Sequence, residues 1–554
     1  MVKRFAIATL LLLAACKTAT MDNGTIFSAT TVVAGPAQTP LHDGAVYVVN
    51  GIVRETGAAA GIRRAHPNAR VVDATGATIL PGLTDAHAHL YGLGLALDEV
   101  DLTGTTSYEE VLSRTEQRAA KTPPNEWVMG RGWDQTRWPV KEFPTVRPLD
   151  AAVSDRPVYL TRVDGHAGLA NSAAMKLAGV SAATPDPHGG RIIRDASGNP
   201  TGVFVDAAQD LIERVIPAAT HEQVKRRVIA AAQNIASFGL TEIHDAGEGA
   251  DVIRAVQELI DEHRFPIRLY LMISDNDALE NEWFARGPLV GYGGRLTIRS
   301  VKMYADGALG SRGAALLEPY SDDPTNSGLV ISTVDRMTDV ARRARLAGFQ
   351  VNTHAIGDRG VRNVIDAYEA AGVMPPNRWR IEHFQVVAPP DFARVAHDGI
   401  IASMQPTHAT SDMRWAENRL GPERIKGAYA WRTVLNSGAR LALGSDFPVE
   451  DVNPWFGIDS AVTRQDHSGN PPAGWYPEQK LTLAEAIRGF TLDAAYAAFE
   501  ETSRGTIEPG KLADFTIVDG DPYTTATPLF QMKTRMTVVG GEVVYSPPGA
   551  AAPH

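Results

Sequence analysis

"LPGLTDAHAHLYG", Leu80 to Gly92, is the stretch on which the reading of the chain turns. Apolar residues lead through Asp85 into two histidines one residue apart, with Gly82 and Gly92 on either side. In a strand, residues i and i+2 point to the same face, so His87 and His89 present both imidazoles toward one point. A metal ion would use such a pair, and a buried histidine satisfied by a hydrogen bond would look the same over so short a segment. The residues that follow have to separate the two.

Eight apolar, strand-like runs follow one another: "ATILPGLTD", "LTEIHDAG", "PIRLYLMI", "LTIRSVKMY", "FQVNTHA", "RWRIEHF", "IIASMQP" and "RLALGSD". Amphipathic patterns lie between them, among them "DVIRAVQELIDEHR", "DRMTDVARRARLAG" and "RGVRNVIDAYEAAG". Eight strands alternating with helices predict an α/β fold, a (β/α)8 TIM barrel. An open doubly wound sheet would want a Gly-rich phosphate loop after its first strand, and this chain has none there. One connection is far too long: about 150 residues separate the first strand from the second, and loops of that length carry structure or function of their own. It holds "SYEEVLSRTEQRAAK", the Trp-rich "EWVMGRGWDQTRW" and the hairpin-like "GGRIIRDASGNPTGVFV". We read an insertion subdomain over residues 105–235, placed over the C-terminal mouth of the barrel, where active sites are built.

Short alternating runs punctuated by glycine fill residues 24–78, and "KLADFTIVDG" and "MKTRMTVVGGEVVY" near the C-terminus read the same way, as antiparallel strands. Both chain ends are therefore expected to build one small β-sandwich domain, residues 21–79 with 486–548, around a barrel at 80–485; residues 549–554 read as a disordered tail. The first twenty residues, "MVKRFAIATLLLLAACKTAT", have a basic start, an apolar run too short to span a bilayer, and small residues before Cys16. They read as a signal peptide and tether whose "LAAC" resembles a lipoprotein cleavage site. A plain signal peptide with an incidental cysteine is the alternative. The expected location is outside the cytoplasm, periplasmic, with Cys16 lipidated and membrane contact through that anchor alone.

The formal net charge of −11 argues against nucleic acid as a partner. Cys16 is the only cysteine, so no thiolate is left for metal binding or nucleophilic catalysis, and any metal site must use imidazole and carboxylate. Candidates stand where the apolar runs stop. His87 and His89 end the first strand, Lys302 lies near the end of the fourth, His354 ends the fifth, His383 the sixth and Asp446 the eighth. In a barrel these ends converge on one mouth. Imidazole and carboxylate suit zinc, manganese or iron at a catalytic site. Lys302 is the odd member, since an ammonium beside a cation is repelled. It must be neutral, turned away, or capped by carbon dioxide as an anionic carbamate; a structural pairing with Asp306 is equally open.

The set His87-x-His89, Lys302, His354, His383 and Asp446 resembles that of the amidohydrolase superfamily with a binuclear centre, and "PGLTDAHAHL" resembles its first-strand motif. "RGTIEPGKLADFTIVDGDP" (Arg504 to Pro522) resembles the return of the chain into the small β-domain of that family. "GRGWDQTRW", "RVDGHAGLANSAA", "VKMYADGALGSRGA", "NTHAIGDRG" and "IEHFQVV" resemble its YtcJ-like, N-substituted formamide deformylase-like branch, over residues 24–545. The resemblance implies two divalent metals, zinc first among them, bridged by a carboxylated Lys302, with Asp446 as the group that takes and returns the proton. The expected activity is hydrolysis of a C–N bond (amide, N-acyl or N-formyl) of a small molecule by a metal-activated water. Alternatives are another bond on the same site (ester, cyclic amide, carbamate), a non-hydrolytic reaction, or a lipid-anchored binding protein without catalysis. A homo-oligomer is allowed.

Around this set the sequence offers further candidates. His166 in the insertion either reaches the metals to hydrogen-bond an oxyanion or pins the insertion to the barrel. Trp133, with Asp134, either walls the substrate pocket or packs. His244 and Asp245 are candidates for orienting the ligands, Arg312 for an anionic substrate group or a loop-holding ion pair, and Gln405 and His408 for pocket lining. His42, His66, His188, His221, His263, His397 and His467 lie off the strand ends and read as surface.

Overall fold

In the computed structural model, which describes residues 24–548, the eight runs form eight parallel strands. They are β1 (Leu83–Ala88), β2 (Leu240–Glu248), β3 (Arg268–Ser274), β4 (Leu296–Tyr304), β5 (Gln350–Ala355), β6 (Arg380–His383), β7 (Ile401–Met404) and β8 (Arg440–Leu443). Each pairs with the next in chain order. The ring is nearly closed. Just past β8 the Asp446 amide donates to the His87 carbonyl at 2.7 Å, and the Ser445 amide and hydroxyl donate to Asp85. All six residues of β1 are buried. Parallel strands covered on both faces read as continuous apolar runs, which is why these were legible. The helices outside the ring bury stripes at helical spacing, as Val361, Val364, Ile365 and Tyr368 do on Asp358–Ala370. The expected signal peptide, Cys16 and the C-terminal tail lie outside the described residues.

Strands from both chain ends hydrogen-bond as one continuous seven-stranded sheet. Its order is Glu542–Tyr545, Thr534–Val539, Phe515–Asp519, Arg70–Pro81, Thr25–Ala34, Thr39–Val49 and Ile52–Ala58. The two halves share one core, in which Phe27 meets the edge of Phe515 at 5.4 Å. One pairing departs from the antiparallel expectation: Thr25–Ala34 and Arg70–Pro81 run parallel. Parallel neighbours need a crossover, and the intervening hairpin with helix Ala59–Ala65 supplies it. Arg268 of β3 clamps the sheet to the barrel through two bonds to Asp514, 2.8 and 2.9 Å.

The boundaries shift at two places. The insertion carries its own six-stranded sheet, from Val100 to Asp206, over a core that includes Val111, Trp138, Leu160 and Val203. Helix His221–Ser237, expected within the insertion, instead packs on the barrel helices Leu90–Asp98 and Ala250–Asp261, because its stripe of Val224, Val228, Ala231 and Ile235 faces them. Toward the C-terminus, helix Leu492–Ala497 lies against β8 and β1, where Ala494 and Ala497 meet Ala86, Ile401 and Ala442. The barrel therefore runs past residue 485 to the end of that helix, whose small side chains let it close the bottom of the ring.

Candidate metal centre

Asp85 and His87 have the same parity on β1 and share the inward face. Asp85 is used structurally: it accepts from the His87 amide and from Ser445, which ties β1 to the segment after β8. His87, fully buried, has its Nδ1 2.5 Å from Glu382 Oε2 and its Nε2 3.2 Å from Lys302 Nζ. Asp446 Oδ1 lies 3.5 Å from His87 Nε2 and 3.0 Å from His89 Nε2. The His383 ring is 4.7 Å from that of His87 and 4.5 Å from that of His354. One ligand atom each of His87, His383 and Asp446 falls within 4.8 Å of the others. All six expected ligands thus meet around the barrel mouth.

Two of them owe their aim to the backbone. Consecutive strand residues point to opposite faces, yet Glu382 and His383 both reach the His87 ring. His383 has φ of 70°, and Asp446 has φ of 69°, both in the left-handed region that L side chains rarely adopt. Each such residue costs about 1–3 kcal/mol and persists where surrounding structure enforces it.

The donors fit a divalent cation. His87 and His383 each anchor Nδ1 on an acceptor, Glu382 Oε2 and Gln405 Oε1 (2.8 Å), which leaves Nε2 with its lone pair toward the centre. His354 Nε2 is buried with no hydrogen bond, although Asp306 Oδ1 is 3.6 Å away. Burial, reinforced by Lys302, pushes the imidazoles of His87 and His354 down, the latter to about 3. Burial and the neighbouring histidines do the same to His383, so these rings are neutral, as ligands must be. Burial alone would raise Asp446, but the hydrogen bond from His89 and the nearby imidazoles hold it below the usual carboxylate range. Burial lowers Lys302, against the pull of Glu382, Asp446 and Asp245. Asp306 is not its partner: that carboxylate accepts from the amides of Ala315, Ile356 and Gly357 at 2.8, 2.9 and 2.8 Å.

Other candidates separate. Asp245 accepts from the Leu90 amide at 3.0 Å and so fixes the helix that begins just after His89. His244 faces Arg380 at 2.9 Å in the layer below, rather than a ligand. Arg312 is held by Asp322, the loop-holding reading. His408 lies parallel to His383 at 5.8 Å, with Nε2 3.6 Å from Asp446 Oδ2 and no hydrogen bond of its own. The structure does not bring His166 to the centre. Its side chain is 76% exposed, it pairs with Asp206 at 2.8 Å, and it does not line the cavity. Trp133 is no pocket wall: it is fully buried in the insertion core, its indole N–H donates to the Leu160 carbonyl at 2.7 Å, and Trp138 and Phe143 pack on it.

A cavity of about 400 Å³ opens over the centre, walled by Tyr304, Leu309, Ile356 and Trp415 and by the polar His408, Gln385, Asp412 and Glu450. A larger hollow of about 590 Å³ beside His467 and Phe530 touches none of the ligands and is remote from this chemistry. Sequence reasoning missed Glu382, Asp412, Trp415 and Glu450. Only the adjacency of Glu382 to His383 pointed to any of them, and strand alternation argued against using both.

Comparison with known proteins agrees with this geometry. The profile described as the amidohydrolase family matches residues 70–545. A Bacillus subtilis protein named as an amidohydrolase, YtcJ, is 36% identical over 90% of this chain and 96% of its own. The N-substituted formamide deformylase of Arthrobacter pascens is 29% identical over 91% of this chain and 95% of its own. Among solved structures, an uncharacterized metal-dependent hydrolase from Pyrococcus horikoshii superposes with a TM-score of 0.75 at 27% identity, covering 91% of this chain and 99% of that one.

Proposed function

Since the chain belongs to the amidohydrolase family, in its YtcJ-like branch, and is a hydrolase built around a metal-binding cluster, we propose that it cleaves the C–N bond of a small N-acyl or N-formyl amine. The convergence of His87, His383 and Asp446 within 4.8 Å carries this reading. The similarity to an N-substituted formamide deformylase supports formamides as first substrates.

His87, His89, His354, His383 and Asp446 would hold two divalent ions, zinc before manganese or iron. Bound there, the ions supply Lewis acidity toward a carbonyl and a more acidic water. Lys302, buried and pushed toward its neutral form, would be the nucleophile to take up carbon dioxide: its N–C bond forms as one C–O π bond of the carbon dioxide opens and one proton leaves, and the carbamate would then be an anionic ligand in place of an ammonium. Asp446 has one oxygen engaged by His89, while Oδ2 carries no hydrogen bond from it. That oxygen takes the proton of the attacking water and returns it to the leaving nitrogen. His408, which lines the cavity and whose buried Nε2 is unpartnered, would take the role expected of His166 and donate to the developing oxyanion. The products are a carboxylate and an amine.

The test joins metal analysis to amine release. About two zinc or manganese ions per chain, with amine released from N-formyl or N-acyl amines, is the expected result. No metal even after reconstitution would overturn it. We further propose that the protein is exported and anchored in the periplasm through a lipid on Cys16, on the strength of "LAAC". Labelling with a radioactive fatty acid that persists in Cys16→Ser would refute that.

A further inference from the structure

Part of the cavity wall is acidic. Asp412 ends helix Pro406–Asp412, and Glu450 follows β8; both line the cavity. Neither forms an ion pair among the described residues. Asp412 accepts from the Tyr429 hydroxyl at 2.7 Å and weakly from Gln385 at 3.4 Å, and Glu450 Oε1 accepts from Ser411 Oγ at 2.6 Å. These neutral donors hold the carboxylates without cancelling their charge. Apart from Lys302 at the bottom, no lysine or arginine among the described residues lines the cavity. Of the cations nearby, one is committed elsewhere and the other is an exposed side chain that does not line the cavity, although its charge reaches Asp412. Arg419 lies over the Trp415 ring at 5.7 Å, but its guanidinium is tied to Asp322 and the Gly310 carbonyl. Arg414 is exposed. Burial above all, with a smaller push from the charge of Glu450, raises the Asp412 carboxyl, against the Tyr429 hydrogen bond and the charges of His408 and Arg414.

Trp415, whose amide donates to the Asp412 carbonyl, offers an aromatic surface to the same cavity. Carboxylates with aromatic faces are the chemistry that recognises an ammonium or guanidinium group. An anionic substrate would find no counter-ion there, and two like charges would repel it. Resting on the hydrolase reading above, we propose that the part of the substrate reaching outward from the scissile amide carries a positive charge, held between Asp412 and Glu450 against Trp415. The substrate class is then an amide of a basic compound, such as a mono-acylated diamine, rather than an N-acyl amino acid with a free carboxylate.

Three N-formylbenzylamines of nearly equal size test this: para-hydroxymethyl (neutral), para-aminomethyl (cationic) and para-carboxy (anionic). The expected order of kcat/KM on the metal-loaded protein is cationic, neutral, anionic, with about tenfold between the first two. In Asp412→Asn and Glu450→Gln the ratio of cationic to neutral substrate falls toward one. A ratio near one in the unaltered protein, a preference for the anion, or a ratio that neither variant moves would overturn the proposal and leave the hydrolase reading standing. If no formamide is turned over, calorimetry with benzyltrimethylammonium, which has no lone pair for a metal, decides separately. Binding that Asp412→Asn weakens at least about fivefold supports the cation subsite even though the formamide reading fails. No binding refutes the subsite.

Discussion

Glu382→Gln is the perturbation that most directly tests how the centre is held. Glu382 and His87 are both fully buried, and their 2.5 Å contact fixes the imidazole with Nε2 toward the cluster. A glutamine keeps the volume but loses the charge, and it can present its amide N–H₂ to Nδ1 and so reverse the tautomer. Partners of this kind are worth about 10- to 100-fold in metal affinity, or roughly 1.4–2.7 kcal/mol. Arg380, fully buried with Nη1 3.9 Å from Glu382, loses its nearest carboxylate as well. Stripping one partner from a buried pair costs about 3–5 kcal/mol, and the longer separation here places the expected loss at about 3 kcal/mol. Zinc affinity measured by competition with a chromophoric chelator, on protein checked for folding by circular dichroism, reads the first figure. Urea unfolding of the metal-free protein reads the second. A folded variant that binds zinc within about twofold of the unaltered protein would refute the positioning argument, since it would fall well below the effect of such partners.

Other outcomes follow from contacts of the same kind. Asp514→Asn should cost about 3 kcal/mol in urea unfolding, because it leaves Arg268 without its counter-ion. Burial would raise the Asp514 pKa, but Arg268 outweighs it and the folded value lies below normal. Its stabilisation is therefore complete above the unfolded pKa of about 3.9 and is lost as pH falls through the folded value, so the variant should show a flatter acid limb; an unchanged slope would contradict this. In Gly360→Ala the new Cβ would collide with Asp306 Oδ2. Displacing that carboxylate from the amides after His354 should cost about 1–3 kcal/mol and lower metal content, whereas unaltered stability would show that the loop yields freely. His408→Ala should lower kcat/KM about 100-fold, and His166→Ala less than about threefold; the reverse ranking would restore the oxyanion role to His166.

The barrel was legible because strands buried on both faces leave continuous apolar runs, and the ligands were legible because polar residues interrupt those runs at their ends. What escaped notice depends on departures from the regular repeat. Glu382 and His383 are neighbours, so a strict two-residue period assigns them to opposite faces; the left-handed φ at His383 brings both to His87. Asp412 and Trp415 lie on helices and connections over the mouth, where no periodicity marks an inward face. His166 and Trp133 illustrate the opposite error: conspicuous residues in a long insertion invited a role at the centre, while one pairs at the surface and the other fills a local core. The parallel pairing of Thr25–Ala34 with Arg70–Pro81 was hidden because alternation reports which face is buried and not the direction of the neighbour.

The sheet shared by both chain ends also dictates an order of events. The amide of Leu83, where β1 begins, bonds the hydroxyl of Thr516, 433 residues further along, and the strand feeding into β1 has Phe515–Asp519 as its neighbour on one side. During synthesis that side has no partner until almost the whole polypeptide has been made. A chain halted shortly before residue 515 would carry an unpaired strand edge beside apolar residues such as Ile79 and Val72, the kind of surface that recruits other chains. Premature termination in this protein should therefore yield aggregates rather than a trimmed hydrolase, even though every ligand to the metal centre would already be present.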